Sequence, residues 1–130
     1  MKGYAGQILF IDLSDGSLKR KKLPEKVYRD FVGGYGITAK ILHEDFKPKA
    51  DPLGPENILG FMTGPLNGLP ISMAARAVFA AKSPLTGTIG ESNIGGYIGA
   101  ELKKPVMMVS FLRELHQSRS ICGFPMDSFR

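Results

Sequence analysis

The sequence predicts an α+β fold, with a mixed or antiparallel β-sheet and two or three short helices. Short apolar, β-branched runs recur between turn signals, as in Gln7–Leu13 and Ala77–Lys82. Glycine (16) and proline (9) are frequent for 130 residues, which suits a turn-rich sheet better than a helix bundle. Helical spacing of apolar residues is confined to short stretches. The length allows one compact domain, and 43% hydrophobic residues with 22% charged give it a core.

Gln7 to Leu13 reads Q-I-L-F-I-D-L, a strand. Asp15-Gly16 signals a hairpin turn, and Ser17 to Leu23 returns as a polar edge strand whose lysines discourage edge-to-edge pairing. Pro24 and Glu25 open a helix with Val27, Phe31 and Val32 on one apolar face, and Gly33-Gly34 ends it. A second helix is expected from Ile37 to Phe46, with Ile37, Ile41 and Leu42 inward. His43 on that helix has no partner at a useful spacing and reads as structural or exposed.

Asp51 to Asn57 is a loop by its turn residues. Ile58 to Met62 is a short buried strand, and Gly64 to Gly68 a turn. Ala77 to Lys82 and Thr88 to Ser92 are strands joined by the turn Ser83 to Gly87. A short helix is expected from Gly95-Gly96 through Leu102.

The formal charge is +5, a field that suits an anionic ligand but is also what ordinary solvated lysines give. The densest basic run, Lys19 to Lys22, lacks interleaved aromatics and argues little for nucleic acid. One cysteine, Cys122, leaves no internal disulfide framework and no multi-cysteine cluster, and the expected compartment is the cytoplasm. No apolar run approaches the roughly 18 residues of a membrane span, and no secretory signal is visible at Met1 to Tyr4.

There is no G-x-S-x-G elbow, no H-E-x-x-H and no P-loop. Gly33-Gly34-Tyr35-Gly36 is only superficially a dinucleotide fingerprint, because it follows a helix where such a loop must follow a strand. No catalytic residue and no protein metal ligand is assigned. The informative stretch is Arg76 to Gly96. In a hairpin of that length, Arg76 at the start of one strand lies beside Asn93 and Gly95 at the end of the next. A guanidinium fork suits phosphate, glycine admits close backbone approach, and a helix opening at Gly95-Gly96 would turn free amides to the same spot.

Five landmarks carry a family resemblance: the opening Gly3 to Gly16; D-P-L-G-P-E-N at Asp51 to Asn57; G-P-L-N-G at Gly64 to Gly68; A-K-S-P-L-T-G at Ala81 to Gly87; and S-N-I-G-G-Y-I-G-A-E-L-K at Ser92 to Lys103. In this order and spacing, residues 3 to 104 resemble the N-terminal domain of the aldehyde ferredoxin oxidoreductases. The resemblance implies a tungsten (or molybdenum) bis-pterin with magnesium, and places Arg76, Asn93 and Gly95 at positions that contact the pterin and its phosphate-bridging magnesium. It also implies aldehyde oxidation to a carboxylic acid, ferredoxin as electron acceptor, and a possible homo-oligomer in the full-length enzyme. The ligands of the family's 4Fe-4S cluster are absent here, so this chain alone is expected to be inactive. The family often has glycines before the arginine; Ala74-Ala75 stand there in this chain.

After Lys104 the family continues A-G-Y-D and then a strand, whereas this chain reads P-V-M-M-V-S-F. A one-base frameshift accounts for the break. Met107-Met108-Val109 read one base earlier forces Asp-Gly, and synonymous codons upstream allow Ala-Gly-Tyr before it. Two domains of meaning follow: 1–104, a partial N-terminal domain of the family, and 105–130, an out-of-frame tail in which His116 and Cys122 carry no role. Two other function classes stay open on the residues alone. One is a stand-alone phosphate-ligand binding module built on the Arg76–Gly95 hairpin; the other is a basic nucleic-acid-binding domain.

Overall fold

A computed structural model describes residues 3–4, 6–47 and 49–103, and the backbone of 109–113. The elements run β1 (Ile8–Asp12), β2 (Ser17–Lys21), α1 (Glu25–Phe31), α2 (Tyr35–Asp45), β3 (Ile58–Thr63), β4 (Ala77–Lys82), β5 (Ile89–Ile94), α3 (Ile98–Lys103) and β6 (Val109–Arg113). The six strands form one sheet in the order β2-β1-β6-β3-β4-β5. β1 and β6 run parallel and every other neighbouring pair is antiparallel. The α+β fold with a mixed sheet and three short helices is the one the sequence predicts.

The β1–β2 hairpin closes with Asp12 opposite Ser17. Two Asx contacts shape its turn: Asp12 Oδ1 accepts the Ser14 N–H, and Asp15 Oδ1 accepts the Ser17 N–H at 2.7 Å. Gly16 takes φ +71°, which costs a residue without Cβ little. The Ser17 contacts hold the Asp15 carboxyl below its ordinary range. β2 is one of the sheet's two edges and is exposed, and its basic residues alternate between the two faces of the strand.

Pro24 precedes α1, where its fixed φ of −58° suits a helix entry. The inward face of α1 differs from the sequence expectation. Tyr28 is its buried residue, with Val27 packed beside the core, while Phe31 and Val32 are exposed. The reason is the chain reversal after α1. Val32 has φ +61° and ψ −64°, and Gly33 N–H bonds to the Phe31 carbonyl at 2.7 Å, a γ-turn that lifts both side chains off the core. Gly34 (φ 51°, ψ −126°) then starts α2. A Cβ on Gly36 would come 2.3 Å from the Phe31 carbonyl oxygen, so the α1–α2 junction admits only glycine there.

On α2 the residues Ile37, Thr38, Ile41 and Leu42 are buried, spaced as one helical face. They meet Ile8, Ile58, Met62 and Ala80 of the sheet, with Tyr28 closing the core. His43 is exposed. The loop before β3 is tied down by Asn57, whose amide nitrogen donates to the Pro52 and Lys82 carbonyls and whose Oδ1 accepts the Lys82 N–H.

β6 lies between β1 and β3, pairing Leu9 to Asp12 on one side and Ile58 to Met62 on the other. It falls within the segment expected to be out of frame. Its residues, V-S-F-L-R, are rich in strand formers, and main-chain pairing asks little more of them. His116 and Cys122 lie outside the described residues.

Candidate functional site

Strands β4 and β5 pair from Lys82↔Ile89 at the turn to Ala77↔Ile94 at the far end, with Val78 opposite Asn93. Extending this register by one residue sets Arg76 opposite Gly95. Alternation then puts Arg76, Val78, Asn93 and Gly95 at register positions on one face of the sheet. The three residues expected at the site thus share one strand end and one face. Gly95 is close to the facing backbone, since a Cβ there would lie 4.0 Å from the Ala75 carbonyl oxygen. Arg76 is exposed, and its guanidinium makes no hydrogen bond or ion pair among the described residues. Asn93 and Gly95 are exposed beside it.

The expected helix opening at Gly95-Gly96 is corrected. Gly96 turns the chain at φ +86° and α3 begins only at Ile98, its first bond running from Glu101 N–H to the Tyr97 carbonyl at 2.9 Å. β5 is correspondingly longer than expected, ending at Ile94, so Asn93 is a paired strand residue. α3 packs against Ala77, whose Cβ would sit 3.3 Å from a Cβ on Gly99. Ala77 alternates with Arg76 and Val78, so α3 covers the opposite face, and its amides are not part of the Arg76 rim. The helix that does approach this face is α2. Gly34 N–H bonds to the Thr63 carbonyl at 3.3 Å, and a Cβ on Gly34 would meet Val78 Cγ2 at 3.7 Å. The Gly33–Gly36 segment, which reads in sequence as helix punctuation, therefore borders the same strand end.

Behind the rim is a frame that sequence reasoning missed. Asn67 is 2% exposed, and its Nδ2 donates to the Arg76 carbonyl at 2.9 Å. Lys103 Nζ, at the end of α3, donates to three carbonyls of the same turn: Pro65 at 2.6 Å, Asn67 at 2.9 Å and Gly64 at 3.3 Å. Burial pulls the Lys103 ammonium below its ordinary range, while the three carbonyls give its protons somewhere to go. Both residues lie inside landmark stretches, Asn67 in Gly64 to Gly68 and Lys103 at the end of Ser92 to Lys103. Their partners are distant along the chain, and no local pattern marks them.

At the other end of β3 an open cleft of about 500 Å³ lies between the β1–β2 hairpin and the C-terminus of α2, lined by Phe10, Lys19, Lys21, Asp45 and Ile58 among others. Its lysines and aspartates balance, and it holds no arrangement for nucleophilic chemistry. Among the described residues, no group of three or more His, Cys, Asp or Glu side chains could hold a metal ion. No helix among them is long and apolar enough to cross a membrane.

Residues 8–109 match the family model described as aldehyde ferredoxin oxidoreductase, N-terminal domain. The chain belongs to this family. Curated relatives agree. The tungsten-containing aldehyde ferredoxin oxidoreductase of Pyrococcus horikoshii is 45% identical over 103 residues, covering 79% of this chain and 17% of the relative. A protein of Pyrococcus furiosus named aliphatic sulfonate oxidoreductase, WOR-like subunit, is 37% identical over 106 residues, again 79% of this chain and 17% of the relative. Among solved structures, the active site complex BamBC of benzoyl coenzyme A reductase, in complex with 1,5-dienoyl-CoA, superposes with a TM-score of 0.85 at 31% identity. That match covers 90% of this chain and 18% of the other. The chain spans about a sixth of the length of the curated relatives it matches.

Proposed function

We propose that this chain forms the cofactor-cradling N-terminal part of a tungsten-pterin oxidoreductase that converts aldehydes to carboxylic acids. The observation that carries this reading is the unpaired, exposed Arg76 guanidinium at the register position facing Gly95, inside the segment that matches the family. A planar donor fork with no partner among the described residues suits a phosphate ester, and a glycine opposite keeps the approach open. On this reading Arg76 would hold the phosphate of the pterin, Gly95 would admit it, and Asn93 would offer an oxygen to its magnesium. The half-buried Ala74 and Ala75 narrow the approach from the Arg76 side by two methyl groups without closing it, since Arg76 itself stays exposed.

The bound metal-pterin supplies the redox chemistry: aldehyde and water become carboxylic acid, two protons and two electrons. A 4Fe-4S cluster, held outside this chain, would supply single-electron transfer to ferredoxin. One cysteine cannot ligate such a cluster, so on this reading the chain needs the rest of the enzyme for turnover. The single cysteine suits a cytoplasmic enzyme, and the family resemblance carries the expectation of a homo-oligomer. Residues 105–130 are read out of frame, and the DNA after the Lys104 codon tests this directly: a shifted frame without the family's Ala-Gly-Tyr-Asp codons ends the idea.

The site itself is tested by titrating the 130-residue chain with a phosphorylated pterin, against the same pterin without phosphate. Binding that requires the phosphate is expected. Equal binding of both, or of neither, overturns the assignment. Names given to relatives bear on the substrate. A domain this similar occurs in proteins named for aldehyde, sulfonate and benzoyl-CoA chemistry, which fits a part that carries the cofactor and leaves substrate choice to other parts of the protein.

A further inference from the structure

We infer that Asn67 is a positioning residue for Arg76, and that Gly99 is glycine so that the Asn67 amide can reach the Arg76 carbonyl. The inference rests on the reading of Arg76 as an anion-binding residue. Asn67 is almost wholly buried, and its Nδ2 donates to the Arg76 carbonyl at 2.9 Å. That single bond fixes the peptide plane between Arg76 and Ala77, and with it the direction in which the Arg76 side chain leaves the strand end. It also fixes the amide orientation, because the flipped amide would set two carbonyl-type oxygens against each other.

The other half of the amide makes the case. Asn67 Oδ1 is buried and has no hydrogen-bond partner among the described residues. An unsatisfied buried oxygen costs at least as much stability as one net hydrogen bond contributes. Stability therefore does not account for an asparagine here, since the two contributions cancel or worse. Holding the Arg76 backbone does account for it. Gly99 fits the same account. A Cβ at that position would lie 2.6 Å from Asn67 Nδ2, so any side chain on α3 at this point pushes the amide off its carbonyl.

The test uses the 130-residue chain with inorganic phosphate as probe, in wild type, N67A, G99A, N67A/G99A and R76Q. Dissociation constants come from calorimetry, backbone order at Arg76 and Ala77 from nitrogen-15 relaxation, and Tm from circular dichroism. N67A is expected to weaken phosphate binding about tenfold with raised mobility at Arg76 and little change in Tm. G99A should do the same, and the two losses should be far from additive in N67A/G99A, because the closest clash needs the amide and only the 3.3 Å contact with Ala77 remains without it. Wild-type binding with undiminished affinity in N67A overturns the positioning role and leaves the reading of Arg76 standing. A loss of affinity that only tracks a fall in Tm, with Arg76 order unchanged in the folded variant, overturns it too. Wild type that binds no phosphate, or R76Q that binds as well as wild type, overturns the reading of Arg76 and the inference with it.

Discussion

Lys103 Nζ lies 2.6 Å from the carbonyl oxygen of Pro65, joining the end of α3 to the turn that follows β3. The same ammonium reaches the Gly64 and Asn67 carbonyls, so one side chain gathers three acceptors of one turn; the Gly64 carbonyl also accepts the Asn67 N–H at 3.3 Å. Lys103→Met keeps the stem and removes the donors. It should destabilise the chain by about 1.5–3 kcal/mol, read from urea unfolding.

The alkaline limb of stability carries a Lys103 signature. Burial lowers its folded pKa beneath the ordinary 10.5, so the unfolded chain binds the proton more tightly. The contribution to stability is then complete above 10.5, and is lost as pH falls through the lowered folded value. Wild type minus Lys103→Met, measured as unfolding free energy against pH, should therefore rise between the folded value and 10.5. A flat difference across that window contradicts the desolvated, half-buried ammonium.

The α1–α2 junction should respond with opposite signs to two glycine changes. Val32 sits at φ +61° in a γ-turn and is exposed, so Val32→Gly loses little burial and relieves strain of about 1–3 kcal/mol, less the added flexibility of glycine. Tm should rise. Gly36→Ala would force a methyl to within 2.3 Å of the Phe31 carbonyl oxygen, a backbone atom that cannot step aside, and Tm should fall.

Arg76→Gln separates site from scaffold. The guanidinium has no partner among the described residues, so the variant should melt within a degree or two of wild type. Its affinity for a phosphorylated pterin should fall by at least tenfold, measured by fluorescence titration. A large drop in Tm would mean that Arg76 serves the fold.

Ending the chain at Lys104 removes β6 and with it the strand that joins β2-β1 to β3-β4-β5. β1 and β3 would then present bare edges along Leu9–Asp12 and Ile58–Met62. Such edges recruit other strands. The shortened chain should self-associate in sedimentation velocity at concentrations where the 130-residue chain sediments as one smaller species.

Local signals carried much of this. Asp15-Gly16 announced the first hairpin, Ile37, Ile41 and Leu42 the buried face of α2, and Ser83 to Gly87 the turn that brings Arg76 level with Gly95. Each depends on residues within a few positions of one another, where backbone sterics and side-chain period act without help from the rest of the chain. The inward face of α1 was not legible, because the γ-turn at Val32 is set by how α1 and α2 share the sheet. Nor was the start of α3, since propensity permits a helix from Gly95 onward while β5 pairing holds the chain extended to Ile94.

By itself, then, the sequence determined the hairpin that aligns Arg76, Asn93 and Gly95, together with the landmark order that marks the family. Only the tertiary structure decided what stands behind that hairpin: Asn67 on the Arg76 carbonyl, Lys103 on the turn of Gly64 to Asn67, α3 on the opposite face, and β6 in the middle of the sheet. The physical reason is range. Turn chemistry and side-chain period are local and written in neighbouring residues. A buried amide or ammonium finds its partner only after folding has brought distant backbone within 3 Å or so, and many different residues could have been that partner.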